Sequence, residues 1–284
     1  MPQNKTKVLQ IPNYIKNTSK ILLKVNKKLA VLFALKLFET PIKYKLPKRE
    51  LKMFDVSNKQ KITLEKSNKE ILVYENNFGP KKVLLVHGWN GRGTQLVSIA
   101  KMFKELNYDI ITFDAPGHGF TKKDSANMTH FIEAILQLNK KYNGFDIIVG
   151  HSLGGMSTIN SISRGLNVDK AVIIGSGNKT TDIVIDYLTS IGLPTNLTKL
   201  FVAMFNKKHN DDIKNYDVDL HAKKVKIPVL VIHDENDIDV PVSASKQVVN
   251  NLENGTLLIT KNLGHRKILG DESVINEIKK FATT

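Results

Sequence analysis

Six short apolar runs recur between residues 82 and 260, and helical patterns alternate with them. The runs are 82–87, 109–113, 145–149, 170–175, 228–233 and 256–260; the helical patterns cover 95–106, 129–141, 156–163, 243–251 and 273–281. Strands that are apolar throughout are buried on both faces, and strand–helix alternation places successive strands parallel. The expected core is therefore a mostly parallel sheet with helices on both faces. Ahead of it, residues 61–65, a turn near Ser67-Asn68-Lys69, and residues 70–74 read as an antiparallel hairpin.

One interval breaks the rhythm. About 50 residues, 177–227, lie where a single helix would suffice, and 181–191 and 197–206 are helical in pattern with breaks at Gly192 and Pro194. This interval reads as a small inserted helical cap. Charge is also unevenly placed: residues 1–60 carry 14 Lys/Arg against 3 Asp/Glu, within a chain of net charge +15. The expected division is a basic N-terminal helical segment and connector, 1–60, followed by an α/β domain, 61–284, that contains the cap.

Residues 14–38 are helical in pattern, with Lys20, Lys24, Lys27 and Lys28 on one narrow face and Ile21, Val25, Leu29, Leu32 and Phe33 around the rest. Two fates suit such a helix. It can lie on an acidic membrane surface, or its apolar side can pack on the α/β domain or a second subunit. Pro41 and Pro47 mark residues 41–59 as a basic connector. The charge asymmetry does not fit a uniformly basic nucleic-acid binder. No run of ~18 apolar residues suggests a membrane span, and the start lacks a signal-peptide pattern, so a cytoplasmic location is expected, with peripheral membrane contact through residues 14–38 as the alternative. The chain has no cysteine, which rules out a thiol nucleophile, a disulfide scaffold and a zinc–thiolate site.

The chemistry centres on Gly150-His151-Ser152-Leu153-Gly154, where the run 145–149 meets the helix that follows. A serine between glycines at a strand-to-helix turn is a nucleophile elbow: the sharp turn lifts the hydroxyl above the sheet, and the glycines leave room for close backbone. The free N–H groups at the start of the helix face the place where an oxyanion would form. A serine hydroxyl needs a base, and the base an acid to orient it. Functional groups of such sheets collect at the carboxyl ends of strands. Two such ends carry Asp234-Glu235-Asn236-Asp237-Ile238-Asp239-Val240-Pro241 and Asn262-Leu263-Gly264-His265. Asp234, Glu235, Asp237 and Asp239 all compete for the acid role. As a calcium loop the cluster lacks the required glycine and has Ile238 where a ligand should fall.

These residues resemble the α/β-hydrolase superfamily over about 61–284. The matching motifs are His87-Gly88-Trp89, Asp114-Ala-Pro-Gly-His-Gly119, Gly150-His-Ser-Leu-Gly-Gly155, Asp237 ahead of Val240-Pro241, and Gly264-His265. The resemblance implies an eight-stranded, mostly parallel sheet. It also implies Ser152 as nucleophile, His265 as general base and then acid, Asp237 as its orienting partner, and the N–H groups of Trp89 and Leu153 as oxyanion hole. His87, His118 and His151 are expected to hydrogen-bond near the site, and His130, His209, His221 and His233 to be surface or structural. The glycine loops lack the endings of phosphate and dinucleotide motifs, so no cofactor and no metal are expected.

The expected activity is hydrolysis of a carboxylic ester through an acyl-enzyme. The apolar cap residues Leu188, Ile191, Leu193, Leu200, Phe201, Val202 and Phe205 lean toward a hydrophobic small-molecule ester. Thioester hydrolysis, acyl transfer and carbon–carbon bond hydrolysis use the same triad, and a catalytically silent binding or signalling module is the alternative from another class. The sequence leaves oligomeric state open.

Overall fold

The structure is a computed structural model that describes residues 11–284. By contacts the chain forms two compact units. One comprises Pro41–Asn178 and Val218–Thr284; the other joins the described residues up to Thr40 with Lys179–Asp217.

The larger unit is built on eight strands: β1 (Asn58–Thr63), β2 (Glu70–Asn76), β3 (Lys81–Val86), β4 (Tyr108–Asp114), β5 (Phe145–His151), β6 (Val168–Ile174), β7 (Val229–Asp234) and β8 (Gly255–Thr260). Their order in the sheet is β1-β2-β4-β3-β5-β6-β7-β8. β2 runs antiparallel to both of its neighbours, and every other pair is parallel. The mostly parallel eight-stranded sheet is thus as expected, including the opening hairpin.

Alternate residues show why the strands are apolar throughout. Val83, Leu85, Ile147, Val149, Val172, Ile174, Leu230 and Ile232 form one core with Ile99 and Phe103 of the helix Val97–Glu105 and with Val274 and Ile278 of the helix Glu272–Thr283. The intervening residues Leu84, Ile148, Ile173 and Val231 point to the other face and are equally buried. There the helices Met128–Tyr142 and Leu153–Ile162 pack together, the second also against β5 and β6.

The stretch 41–59 is more than a connector. Residues Lys48–Val56 form a helix, with Pro47 at its N-cap, a position that needs no N–H donor. Glu50 on this helix is buried and accepts the Thr94 hydroxyl at 2.7 Å, with Arg92 Nε 3.6 Å away. The Asn90 side chain accepts the Ile42 N–H at 2.7 Å, and Arg92 donates to the Lys45 carbonyl at 3.0 Å. The segment therefore braces the loop that carries Trp89.

The smaller unit is helical. The continuous helix expected over 14–38 is broken into Asn13–Val25 and Lys27–Phe38. Asn26 makes the break in an extended conformation, and its side chain accepts the Lys28 N–H at 2.7 Å as an N-cap. Ala30, Val31, Ala34 and Leu35 share a core with Val184, Leu188, Phe201 and Phe205 of the helices Thr180–Ser190 and Thr198–His209. The Phe38 ring lies 5.0 Å from Tyr187 and 5.4 Å from Phe201. Buried Glu39 receives Lys208 and His209, the latter at 2.6 Å. The N-terminal helices thus share their core with the inserted residues. Five of the seven cap side chains that suggested a hydrophobic ester, Leu188, Ile191, Leu193, Phe201 and Phe205, are buried in that core, and Leu200 and Val202 pack against it.

Candidate active site

Ser152 occupies the turn between β5 and the helix Leu153–Ile162 with φ +54° and ψ −119°. A left-handed backbone at a non-glycine residue costs about 1–3 kcal/mol and persists only where its surroundings enforce it. Here the Ser152 N–H donates to the Ile174 carbonyl at 2.9 Å. The flanking glycines leave the required space: a Cβ on Gly150 would fall 2.5 Å from the Gly154 carbonyl oxygen, and one on Gly154 would fall 2.4 Å from that of Val86. Gly88, in the loop after β3, lies so close that its Cβ would come within 2.9 Å of Ser152 Cβ.

His265 stands on the short helix Gly264–Lys267 that follows β8, and its Nδ1 is 2.7 Å from Asp237 Oδ2. The Asp237 carboxylate is held on its other oxygen by the Asp239 and Val240 N–H groups at 2.9 and 3.0 Å. Burial pushes its pKa upward, but hydrogen bonds from His233 and His265, the His265 charge and the Val240 N–H outweigh burial and hold the carboxyl well below the ordinary range. Gly175 at the end of β6 makes room for the pair; its φ is +57°, and a Cβ there would sit 3.2 Å from His265 Nδ1 and 3.5 Å from Asp237 Oδ2. Ile174 holds the Ser152 backbone, and its neighbour Gly175 lies against the His265–Asp237 pair.

The competing acids have other partners. Asp234 accepts the Thr260 hydroxyl at 2.8 Å and the N–H groups of Leu263 and Asn236, both at 3.0 Å, which ties the loop ahead of His265 to β7 and β8. Glu235 pairs with Lys261 at 3.4 Å, and Asp239 lies 3.9 Å from Arg266. Among the four, Asp237 is the one hydrogen-bonded to the imidazole. Ligand atoms of Asp237, Asp239 and His265 lie within 4.8 Å of one another. An ion there would compete with the hydrogen bonds that already occupy both Asp237 oxygens.

His233, expected as a surface or structural residue, is buried beneath this loop. Its Nε2 donates to the Val240 carbonyl at 3.0 Å and lies 3.4 Å from Asp237 Oδ2, and its Nδ1 meets Ser245 Oγ at 2.6 Å. The signal for it was its place at the end of an apolar strand, four residues before Asp237. His151 is buried too, and its Nε2–H donates to the His265 carbonyl at 2.9 Å. Burial, and then the charge of His265, push the His151 pKa down to about 3.

The loop walls are equally fixed. His87 donates from Nδ1 to the Gly88 carbonyl at 2.7 Å and accepts the Ala115 N–H on Nε2 at 3.1 Å, which sets its tautomer. His118 donates to the Pro116 carbonyl at 2.9 Å, and burial pushes its pKa down to about 4. Trp89 meets His118 edge-on at 4.9 Å between ring centres. Asp114 accepts Tyr74 OH and the Phe120 N–H at 2.7 Å and the Gly93 N–H at 2.6 Å, so this buried carboxylate joins two loops. Elsewhere His130 closes a capping box with Asn127, His221 meets Ser163 Oγ at 2.6 Å, and His209 reaches Glu39.

The profile of the family described as "Alpha/beta hydrolase family" matches residues 83–219, and that of "TAP-like protein" matches 210–284. The chain belongs to the α/β-hydrolase superfamily. Among its relatives, a Mycoplasma genitalium protein carrying an esterase/lipase name is 24% identical over 66% of this chain and 85% of its own length. A non-heme chloroperoxidase of Burkholderia pyrrocinia is 23% identical over 74% of this chain and 95% of its own. An esterase structure from Pyrococcus furiosus superposes with TM-score 0.64 at 17% identity, covering 86% of this chain and 97% of that one. The superfamily hosts many chemistries on one sheet, so the site and not the fold decides the reaction.

Proposed function

We propose that this α/β hydrolase cleaves carboxylic esters through an acyl-enzyme on Ser152. The observation that carries the reading is the 2.7 Å bond between His265 Nδ1 and Asp237 Oδ2, beside the Ile174–Gly175 strand end that also holds the Ser152 backbone. With Nδ1 engaged by Asp237, Nε2 is the nitrogen left to act as base. It takes the Ser152 proton as Oγ attacks the ester carbonyl, and the N–H groups of Trp89 and Leu153 receive the oxyanion. Collapse of the tetrahedral intermediate expels the alcohol, which leaves with the proton from His265. Water then repeats the sequence on the acyl-serine: His265 takes its proton, the second intermediate collapses, and the acid departs as Ser152 is reprotonated. Asp237 stays ionised throughout, which its hydrogen bonds favour.

The esterase/lipase name of one relative supports an ester substrate; the cap side chains that suggested a hydrophobic group are taken up by the helical core, so the chain length is read from the test. The test is hydrolysis of p-nitrophenyl esters of increasing chain length by wild type and Ser152→Ala. Loss of a triad member costs about 10^4-fold or more, so turnover should vanish in the variant, and the chain-length optimum sizes the acyl pocket. Equal rates in the two proteins would overturn the reading. The chloroperoxidase name of another relative favours a second reading at the same serine: hydrogen peroxide in place of water would release a peracid from the acyl-enzyme. Peracid formed from ester plus peroxide, lost in Ser152→Ala, would distinguish it.

A further inference from the structure

The two N-terminal helices have an inner side that is used and an outer side that is not. On Asn13–Val25, Ile15, Leu22 and Leu23 pack toward the helical core. Tyr14, Ile21 and Val25 are 70%, 62% and 70% exposed in the chain as a whole. Spacings of seven and four residues put these three on one narrow stripe. On Lys27–Phe38, Ala30, Val31, Ala34 and Leu35 are buried, while Leu29 and Leu32 are 44% and 52% exposed. Large apolar side chains held in water on two successive helices are a surface that something should cover.

The charges identify the partner. The exposed charged side chains of the two helices are Lys20, Lys24, Lys27, Lys28 and Lys36, with no carboxylate among them. Glu39, the acid that follows, is buried against Lys208 and His209. Among the described residues, none of those five lysines forms an ion pair. Lys20 and Lys24 lie on one flank of the Tyr14–Ile21–Val25 stripe, and Lys28 and Lys36 share a side of their helix with Leu29 and Leu32.

We infer that this outer face docks on an anionic lipid bilayer, with the apolar side chains entering the headgroup boundary and the lysines meeting acidic headgroups. A second copy is disfavoured, because a twofold contact would set the same lysines against each other. Nucleic acid would use the lysines but leave the isoleucine, valine and leucines in water. A bilayer uses both. The inference does not depend on the chemistry of Ser152.

The test is cosedimentation of the full chain with vesicles of phosphatidylcholine alone and with about a third phosphatidylglycerol. The protein should pellet with the anionic vesicles, remain in solution with the neutral ones, and be released by raised salt. Replacing Lys20, Lys24, Lys27 and Lys28 by Gln should weaken partition by about fivefold per lysine. The double variant Ile21→Asn, Val25→Asn should weaken it as well, while Ser152→Ala should bind like wild type. These substitutions are at exposed positions, and far-UV circular dichroism checks that the variants fold; should one not, the salt and lipid dependence of wild type still decides. Wild type that stays in solution, or pellets equally with neutral vesicles, overturns the inference. So does a lysine variant that binds unchanged. Unchanged binding by the Ile21/Val25 variant would also overturn it, in favour of an acidic macromolecule held by charge alone.

Discussion

His151 Nε2 donates to the main-chain carbonyl of His265 at 2.9 Å, so the residue beside Ser152 grips the backbone that carries the imidazole. The two rings lie 4.7 Å apart. A His151 pKa pushed down to about 3 keeps this donor neutral beside His265 near neutral pH. A charged neighbour there would disfavour the imidazolium that forms when His265 takes a proton.

His151→Ala should therefore lower kcat for a p-nitrophenyl ester by about tenfold, with KM little changed, because it removes positioning rather than chemistry. His151→Gln, which retains an N–H donor, should recover part of the loss. Equal kcat in wild type and His151→Ala would mean that the carbonyl contact does not hold the base.

Asp237→Asn should reduce kcat by about 10^4-fold, because the amide cannot hold the same imidazole tautomer. It should also change the pH dependence of stability. The folded-state carboxyl lies below its ordinary value of 3.8. The stabilisation from its ionised form is therefore fully present above that value and is lost as pH falls through the lower folded-state value. Thermal midpoints of wild type and Asp237→Asn should converge as pH is lowered from about 5 toward 2.

Gly175→Ala places a methyl group 3.2 Å from His265 Nδ1 at a residue with φ +57°. The backbone cost is about 1–2 kcal/mol. Displacement of the imidazole from Asp237 should cost more in rate, about 10–100-fold in kcat. Urea unfolding and ester kinetics on one preparation separate the two effects.

Glu39→Ala leaves the Lys208 and His209 partners of a buried carboxylate without it. Breaking such a pair costs about 3–5 kcal/mol, discounted here because Lys208 is half exposed. The urea midpoint should fall while ester kinetics well below it stay near wild type.

The parallel sheet was legible because each strand is apolar on both faces and bounded by polar punctuation, as at residues 145–149 between Asn143-Gly144 and the elbow. The turn at Ser152 and the pairing of Asp237 with His265 were legible from motifs just past strand ends. Which acid meets the imidazole followed from the resemblance alone, since four carboxylates crowd six residues and only the turn geometry around Val240 separates them. The break at Asn26 has no proline or glycine to announce it. The helix Lys48–Val56 hid behind two prolines that read as a linker, although one of them caps it. His233 reads as surface or structural, and the bonds it makes across the loop to Val240 and Ser245 have no local signal that decides between the two. Nor could any local pattern show that Ala30 and Leu35 share a core with Leu188 and Phe201, some 150 residues later.

That separation bears on how the protein is made. The helices before Thr40 are synthesised ahead of the residues that cover their apolar side, which follow from Lys179 onward, about 140 residues later. At about 5–20 residues per second the wait is on the order of ten seconds. Throughout it Val31 and Leu35 lack their native cover, within a segment, residues 1–60, that is strongly basic. Lys28 and Lys36 flank those residues in sequence, and like charges on two such segments repel one another.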